Sequence, residues 1–295
     1  MSHSYVESLR PSCACWPSGT IQILREVHSC KRSGTHLHRV LIIAGSDPSG
    51  GAGIQADIKT VTMLGGYAMT AITALTVQNT LGVSGVHPVP PATIAAQARA
   101  CLDDIGADAI KTGMIGDVAA MEAVAEVLLT SSAFKVIDPV MVAKGGTALM
   151  SDGAVDAMKA LLLPHADLLT PNAPEAAALT GLSVDNEDEM RRAGEILLRG
   201  GAKAVLIKGG HVRGPEVVDI LFTREQEYRY ASPRIDTAHT HGTGCTLASA
   251  IATLGREGRT LDETVGMARD YLYGAILMAP QLGTGHGPLR HNWLL

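Results

Sequence analysis

The sequence predicts one α/β domain built on a mostly parallel sheet with helices on both faces. Three observations predict it. Short apolar runs alternate with helix-length amphipathic segments over about 240 residues. Several of the short runs end directly in glycine-rich turns, as strands of a parallel sheet do before a helix. The chain has 295 residues, 46% of them hydrophobic, which suffices for a real core and excludes wholesale disorder.

The elements follow in order from residue 39. Residues 40–44 (VLIIA) are a short apolar run, read as a buried strand. Ile54, Ile58, Val61 and Leu64 fall on one face of a helix over 54–64. Residues 67–77, rich in Thr, Ile and Val, form a strand, and 91–105 a helix with Pro91 near its start. Strands at 109–111 and 136–138 flank a helix at 117–129. A helix at 151–163 is capped by Ser151 or Asp152. A strand at 167–170 precedes helices at 174–180 and 187–199. A strand at 204–208 runs into Gly209-Gly210, and 217–223 with 227–231 reads as a hairpin. Helices at 244–254 and 261–278 close the chain.

Residues 1–38 read differently. They hold Cys13, Cys15 and Cys30, with no sustained period. Met1 to Arg39 carries five basic and two acidic residues, so +3 of the overall −5 lies there and −8 in the remainder. The cluster of Cys13, Cys15, His28 and Cys30 admits a small metal site or a disordered tail, upstream sequence added by a wrong start codon included. The C-x-C spacing is poor for zinc. Glu7, Glu26 and weak amphipathicity speak against a transit peptide. We expect a disordered or mis-annotated leader over 1–38 and one domain over 39–295.

Composition narrows the function. Mild acidity and only ten aromatics argue against nucleic-acid binding. There is no apolar stretch long enough for a membrane span, and five cysteines make no disulfide scaffold, so a cytoplasmic protein is expected.

In a parallel sheet the site lies at the carboxyl ends of the strands. Residues 45–53 (GSDPSGGAG) follow the first strand. They lack the lysine of a Walker A loop and the spacing of a dinucleotide fingerprint, but four glycines in nine residues favour close approach of a ligand to the backbone. Gln78, ending the second strand, can read a heterocycle edge, because an amide donates and accepts at once. Asp57 sits one turn into the first helix, where a carboxylate can face the same pocket. Asn172 and Glu175 have the spacing of an Mg²⁺ or phosphate element but also of an N-terminal helix cap, which spacing alone favours. Lys208 offers a cation for phosphates. THGTGCT (240–246), leading into an alanine-rich helix, is the strongest feature. Its small residues let N–H groups converge on an anion, and the helix adds its positive end. Cys245 stands where a helix start lowers a thiol pKa, or it is a packing cysteine.

Taken together and in this order, AGSDPSGGAGIQADIKT (44–60), ALTVQNT (74–80), KTGMIGD (111–117), DPVMVAKGG (138–146), LLTPNAPEAAALTG (168–181), VLIKGGH (205–211) and THGTGCTLASAIA (240–252) resemble the hydroxymethylpyrimidine/phosphomethylpyrimidine kinases of thiamine biosynthesis, a branch of the ribokinase-like kinases. The resemblance implies a three-layer αβα fold. It also implies ATP-dependent phosphorylation of 4-amino-5-hydroxymethyl-2-methylpyrimidine and then of its monophosphate, with Mg²⁺. Matched by position, Gln78, Gly45, Asp57, Thr76, Met114 and Val140 are implied to line the pyrimidine pocket. Asn172 and Lys208 are implied for ATP and phosphate, and Glu175 for Mg²⁺, directly or through water. Gly242, Thr243, Gly244 and Cys245 are implied for the anion hole, with Cys245, as thiolate, a candidate base for the substrate hydroxyl. A homodimer is implied as well, with no nucleic acid or membrane as partner. Thr284 departs from the family pattern, since many relatives carry lysine there. Two rivals remain: a pyridoxal kinase of the same branch, and a non-catalytic pyrimidine sensor that keeps the fold.

Overall fold

The computed structural model describes residues 37–141, 153–255 and 258–295. Cys13, Cys15, His28 and Cys30 of the leader, and the helix start expected at Ser151 or Asp152, lie outside the described residues. Among the described residues, nine strands form one sheet in the order β3-β2-β1-β4-β5-β6-β7-β8-β9. They are β1 (Arg39–Ser46), β2 (Tyr67–Asn79), β3 (Gly82–Pro88), β4 (Ala109–Thr112), β5 (Phe134–Ile137), β6 (Leu168–Leu169), β7 (Val205–Ile207), β8 (Glu216–Phe222) and β9 (Glu227–Pro233). The six strands from β2 to β7 in that order run parallel; β3 pairs antiparallel at one edge, and at the other β8 pairs antiparallel with both β7 and β9.

Eight helices accompany the sheet among the described residues: α1 (Gly53–Met63), α2 (Pro91–Asp104), α3 (Val118–Thr130), α4 (Ala154–Ala157), α5 (Ala173–Thr180), α6 (Glu187–Arg199), α7 (Thr243–Leu254) and α8 (Leu261–Leu277). The apolar run in β1 explains the layering. Leu41 and Ile43 face one side, with Ile94 of α2 and Met121 and Leu128 of α3. Val40, Ile42 and Ala44 face the other, with Ile54 and Val61 of α1 and Leu247 and Ile251 of α7. A strand buried on both faces must be apolar at every position, and this one is. The outcome is the three-layer αβα arrangement that the resemblance implies.

Two elements differ from the sequence expectation. The helix expected over 151–163 is described from Ala154 and continues as a wide π-helical stretch, Met158–Leu162, and a tight turn, Leu163–His165. Pro164 offers no N–H to a helical ladder, so regular winding stops before it. Strand β3 was not expected at all. Gly82 and Gly85 hide any alternation in its sequence; it forms because the long β2 overhangs the sheet and needs a partner. No described helix is long and apolar enough to cross a membrane.

The carboxyl-terminal segment closes one face through His291. Its ring lies against the Thr246 hydroxyl at 3.0 Å, and Tyr271 donates to its backbone carbonyl at 2.7 Å. Burial, with a smaller push from Lys59, lowers the His291 pKa from 6.5 to about 4. The folded state thus holds a neutral ring, while the unfolded chain takes up a proton below its ordinary value. Stability from this group is complete above pH 6.5 and is lost as pH falls toward 4, by about 3 kcal/mol in all. Urea melts of wild type and His291→Gln across pH 7.5 to 4 should show the stability difference shrinking by that order; a constant difference would refute the assignment.

Candidate active site

A cavity of about 500 Å³ opens at the carboxyl ends of β1, β2, β4, β5 and β7. Its floor holds an ion pair. Lys111, on β4, is a lysine in the middle of a buried strand. Its Nζ donates to both carboxylate oxygens of Asp57 on α1, each at 2.9 Å, and both side chains have no exposed surface. Ser249 of α7 donates a third hydrogen bond to Asp57 at 2.7 Å. A buried charge survives only when paired and hydrogen-bonded, and this one is both.

The walls are two glycine-rich loops stitched together. Asp47, in the loop after β1, accepts from the backbone of Ser49 and Ala52 and meets His241 Nε2 at 2.9 Å. These bonds to His241, Ser49 and Ala52 hold the Asp47 carboxyl below its ordinary value against the opposing effect of burial. The two side chains are nearly fully buried. Gln78 brings its amide to 3.3 Å from the same His241 nitrogen, and Thr76 donates to the Ser46 carbonyl at 2.9 Å. The loops touch so closely that glycine is obligatory at two points. Gly53 opens α1 at φ +55°, and a Cβ there would lie 2.4 Å from the Gly45 carbonyl oxygen. Gly242 caps α7 at φ +84°, and a Cβ there would lie 1.9 Å from the Gly51 carbonyl oxygen. Thr243, Gly244 and Cys245 at the start of α7 therefore border the cavity, where the backbone N–H groups of a helix start stand free for an anion.

A second lysine–aspartate pair stands on the far side. Lys208, after β7, donates to Asp138 Oδ1 at 2.7 Å, and Thr170 donates to the same oxygen at 3.0 Å. Asp138 Oδ2 is buried with no hydrogen-bond partner among the described residues. Glu175 Oε2 lies 4.0 Å from Lys208. Burial pushes the Glu175 carboxyl up to about 7, with Lys208 opposing and the charge of Asp138 adding to the rise. An adjoining cavity of about 240 Å³ shares Asn172, Lys208, His211, Thr240, Thr243 and Gly244 with the first; the rest of its wall sets Val217, Leu247, Leu272 and Ile276 beside Asp219, Arg234 and Arg269.

Twelve of the thirteen expected site residues line the first cavity: Gly45, Thr76, Gln78, Met114, Val140, Asn172, Glu175, Lys208, Gly242, Thr243, Gly244 and Cys245. Asp57 does not. It lies behind the wall, fully buried under Lys111, because its position on α1 faces the sheet. The cap reading of Asn172 and Glu175 is also realised, since each side chain accepts from the other's backbone N–H, at 2.9 and 2.8 Å. The cap occupies the Asn172 carbonyl oxygen, so its amide NH₂ is what remains for a phosphate.

The expected low-pKa thiol is not found. Burial pushes the Cys245 thiol up to about 11; Lys111 opposes the rise, and Asp57 and Asp138 add to it. Desolvation is the largest of these effects. Thr284 is exposed in a loop held to the β2–β3 turn by the bond from His286 N to Thr80 O at 2.8 Å, and it lines neither cavity.

Lys111, Asp138, Asp47 and His241 line the cavity without having been singled out. A lysine inside an apolar strand and an aspartate at a strand's end were the available signals for the first two. The Asp47–His241 pair spans 194 positions and left none.

The family model described as phosphomethylpyrimidine kinase matches residues 47–290. The thiamine biosynthesis bifunctional protein ThiED of Geobacter sulfurreducens is 51% identical over 253 residues, which are 85% of this chain and 52% of that protein, so the chain spans about half of that relative. The hydroxymethylpyrimidine/phosphomethylpyrimidine kinase of Streptomyces coelicolor is 46% identical over 256 residues, 87% of this chain and 95% of that one. Among solved structures, the pyridoxal kinase from Staphylococcus aureus in complex with AMP-PCP and pyridoxal superposes with a TM-score of 0.81 at 35% identity, covering 88% of this chain and 94% of that one.

A thiol held near 11 reacts slowly at neutral pH, because only the thiolate is nucleophilic. Iodoacetamide labelling of Cys245, read by peptide mass spectrometry, should rise about tenfold per pH unit from 7 to 10 without a plateau. A plateau near pH 7 would show a thiolate and restore the base role.

Proposed function

The chain belongs to the phosphomethylpyrimidine kinase family, and we propose that it moves the γ-phosphoryl group of ATP to the hydroxymethyl oxygen of 4-amino-5-hydroxymethyl-2-methylpyrimidine and then to the resulting monophosphate. The observation that carries this reading is one cavity with two chemically different ends. Gln78, Met114 and Val140 set one amide beside two apolar side chains, which suits a heteroaromatic ring. The start of α7 with Lys208 makes an anion-binding end. The second cavity, which shares Lys208 and Gly244 and sets Leu247, Leu272 and Ile276 among polar groups, suits the adenine and ribose of ATP.

Phosphoryl transfer asks a protein mainly for positioning and charge neutralisation. The N–H groups at 243–245 and Lys208 hold the transferring group between donor and acceptor. The residues fit Mg²⁺: Asp138 has an unpartnered buried oxygen, and Glu175 is a carboxylate crowded by another. Asp138 and Glu175 would hold the ion together with water and ATP phosphates, and when bound it supplies charge neutralisation. The hydroxyl proton leaves late in a loose transition state. A neutral Cys245 therefore serves as a wall of the anion hole, and the base role expected from the sequence is not needed.

A pyridoxal kinase reading draws on the likeness to the Staphylococcus structure, since pyridoxal also carries a hydroxymethyl group on a heteroaromatic ring. We propose further that a second copy of the chain covers the overhang of β2, where Leu75 and Val77 are each 51% exposed on one face and Leu81 is 70% exposed at the turn. A cytoplasmic setting, where ATP is made and thiols stay reduced, suits this chemistry.

A coupled ADP-release assay should show turnover with the pyrimidine and its monophosphate and much less with pyridoxal, and Lys208→Met should cut kcat about 100-fold on both pyrimidine acceptors. Preference for pyridoxal would move the assignment to the rival kinase, and no turnover on any acceptor would favour the sensor. In sedimentation, the wild type should run as a dimer and Leu75→Lys with Val77→Lys as a monomer; unchanged mass would remove the β2 overhang as the interface.

A further inference from the structure

The two buried lysine–aspartate pairs differ in placement. Lys208, paired with Asp138, lines both cavities and so belongs to the nucleotide side as much as to the acceptor side. Lys111, paired with Asp57, lines only the first. Within its own pair Lys111 is the member at the cavity, and Asp57 is behind it. An ion pair so oriented is a dipole with its positive end toward the acceptor. Gly113, beside it, has no side chain to cover the ammonium: a Cβ there would lie 3.1 Å from Lys111 Nζ.

The two transfers place different demands on this end of the cavity. The first acceptor is a neutral hydroxyl. The second is a phosphate monoester, which brings negative charge into a cavity that already holds Asp138 and Glu175 and receives the phosphates of ATP. Lys208 is shared between the two cavities. Among the described residues, Lys111 is the other lysine or arginine lining the first cavity.

We propose that Lys111 is a positioning residue that sets the positive field at the acceptor end, and thereby favours the anionic acceptor of the second transfer over the neutral acceptor of the first. The inference rests on the reading that both acceptors use this cavity. Lys111 has no exposed surface, so it acts through the cavity wall and not by contact. Its pairing with Asp57 raises its pKa despite burial, which keeps it charged throughout the working range.

The test compares binding and turnover of the pyrimidine and its monophosphate. Lys111→Met alone would strand the buried Asp57 carboxylate, so the informative variant is Lys111→Met combined with Asp57→Asn, which removes both charges at nearly constant volume. Relative to the unphosphorylated pyrimidine, the monophosphate should bind this double variant about tenfold more weakly by calorimetry, the effect of one partly offset charge. The kcat/KM ratio should shift equally, mostly through KM. An unchanged ratio in this double variant, or parallel losses on both acceptors, would overturn the proposal. A wild type that binds both compounds but phosphorylates neither would sink the kinase reading, and the calorimetric ratio would still decide this one.

Discussion

The architecture of the site depends on finding a partner for one charge. Lys111 sits on a central strand between Ile42 of β1 and Val136 of β5, and its ammonium must be met within the fold. Asp57 meets it with both oxygens, and Ser249 completes the carboxylate's coordination. Those three residues come from β4, α1 and α7. Satisfying one buried charge therefore fixes the positions of the first helix and the anion-hole helix relative to the sheet. Stranding either charge costs about 3–5 kcal/mol, so the arrangement is held firmly.

From that anchor the glycine loops follow. With α1 and α7 packed side by side against the sheet, the turns that open them must approach within backbone contact. Only glycine at 53 and 242 permits it. The Asp47–His241 pair then fastens one loop to the other. The space left between the loops is lined by N–H groups, a neutral thiol and an ammonium beneath. Burial acts on both groups: it pushes the Cys245 thiol up, and it leaves the fully buried Lys111 dependent on Asp57 for its charge.

Much of the site was legible because motifs at strand ends are local. Gln78, Lys208, Asn172, Glu175 and the run 242–245 each stand within a few residues of a strand end or helix start, where pattern reading applies. What the sequence hid had a common cause. Asp57 looked like a pocket carboxylate, because one helical turn cannot tell which way a side chain faces once the helix docks. The Cys245 thiol was expected to be acidified by a helix end, because burial does not show in a local motif. Strand β3 has no pattern of its own and exists through its partner. Asp138 stood in a quoted motif, but its role emerges only beside Lys208 and Glu175.

The sequence by itself determined the layered α/β order, since alternation of apolar runs and amphipathic helices is a property of neighbours along the chain. It also determined the family and the segments that meet at the site. The tertiary structure decided the charge states and the facing of the groups: which aspartate lies in the wall and which behind it, which lysine serves both cavities, and whether the cysteine is a thiolate. Those depend on desolvation and on partners up to 194 positions away, and neither is written in any short stretch of residues.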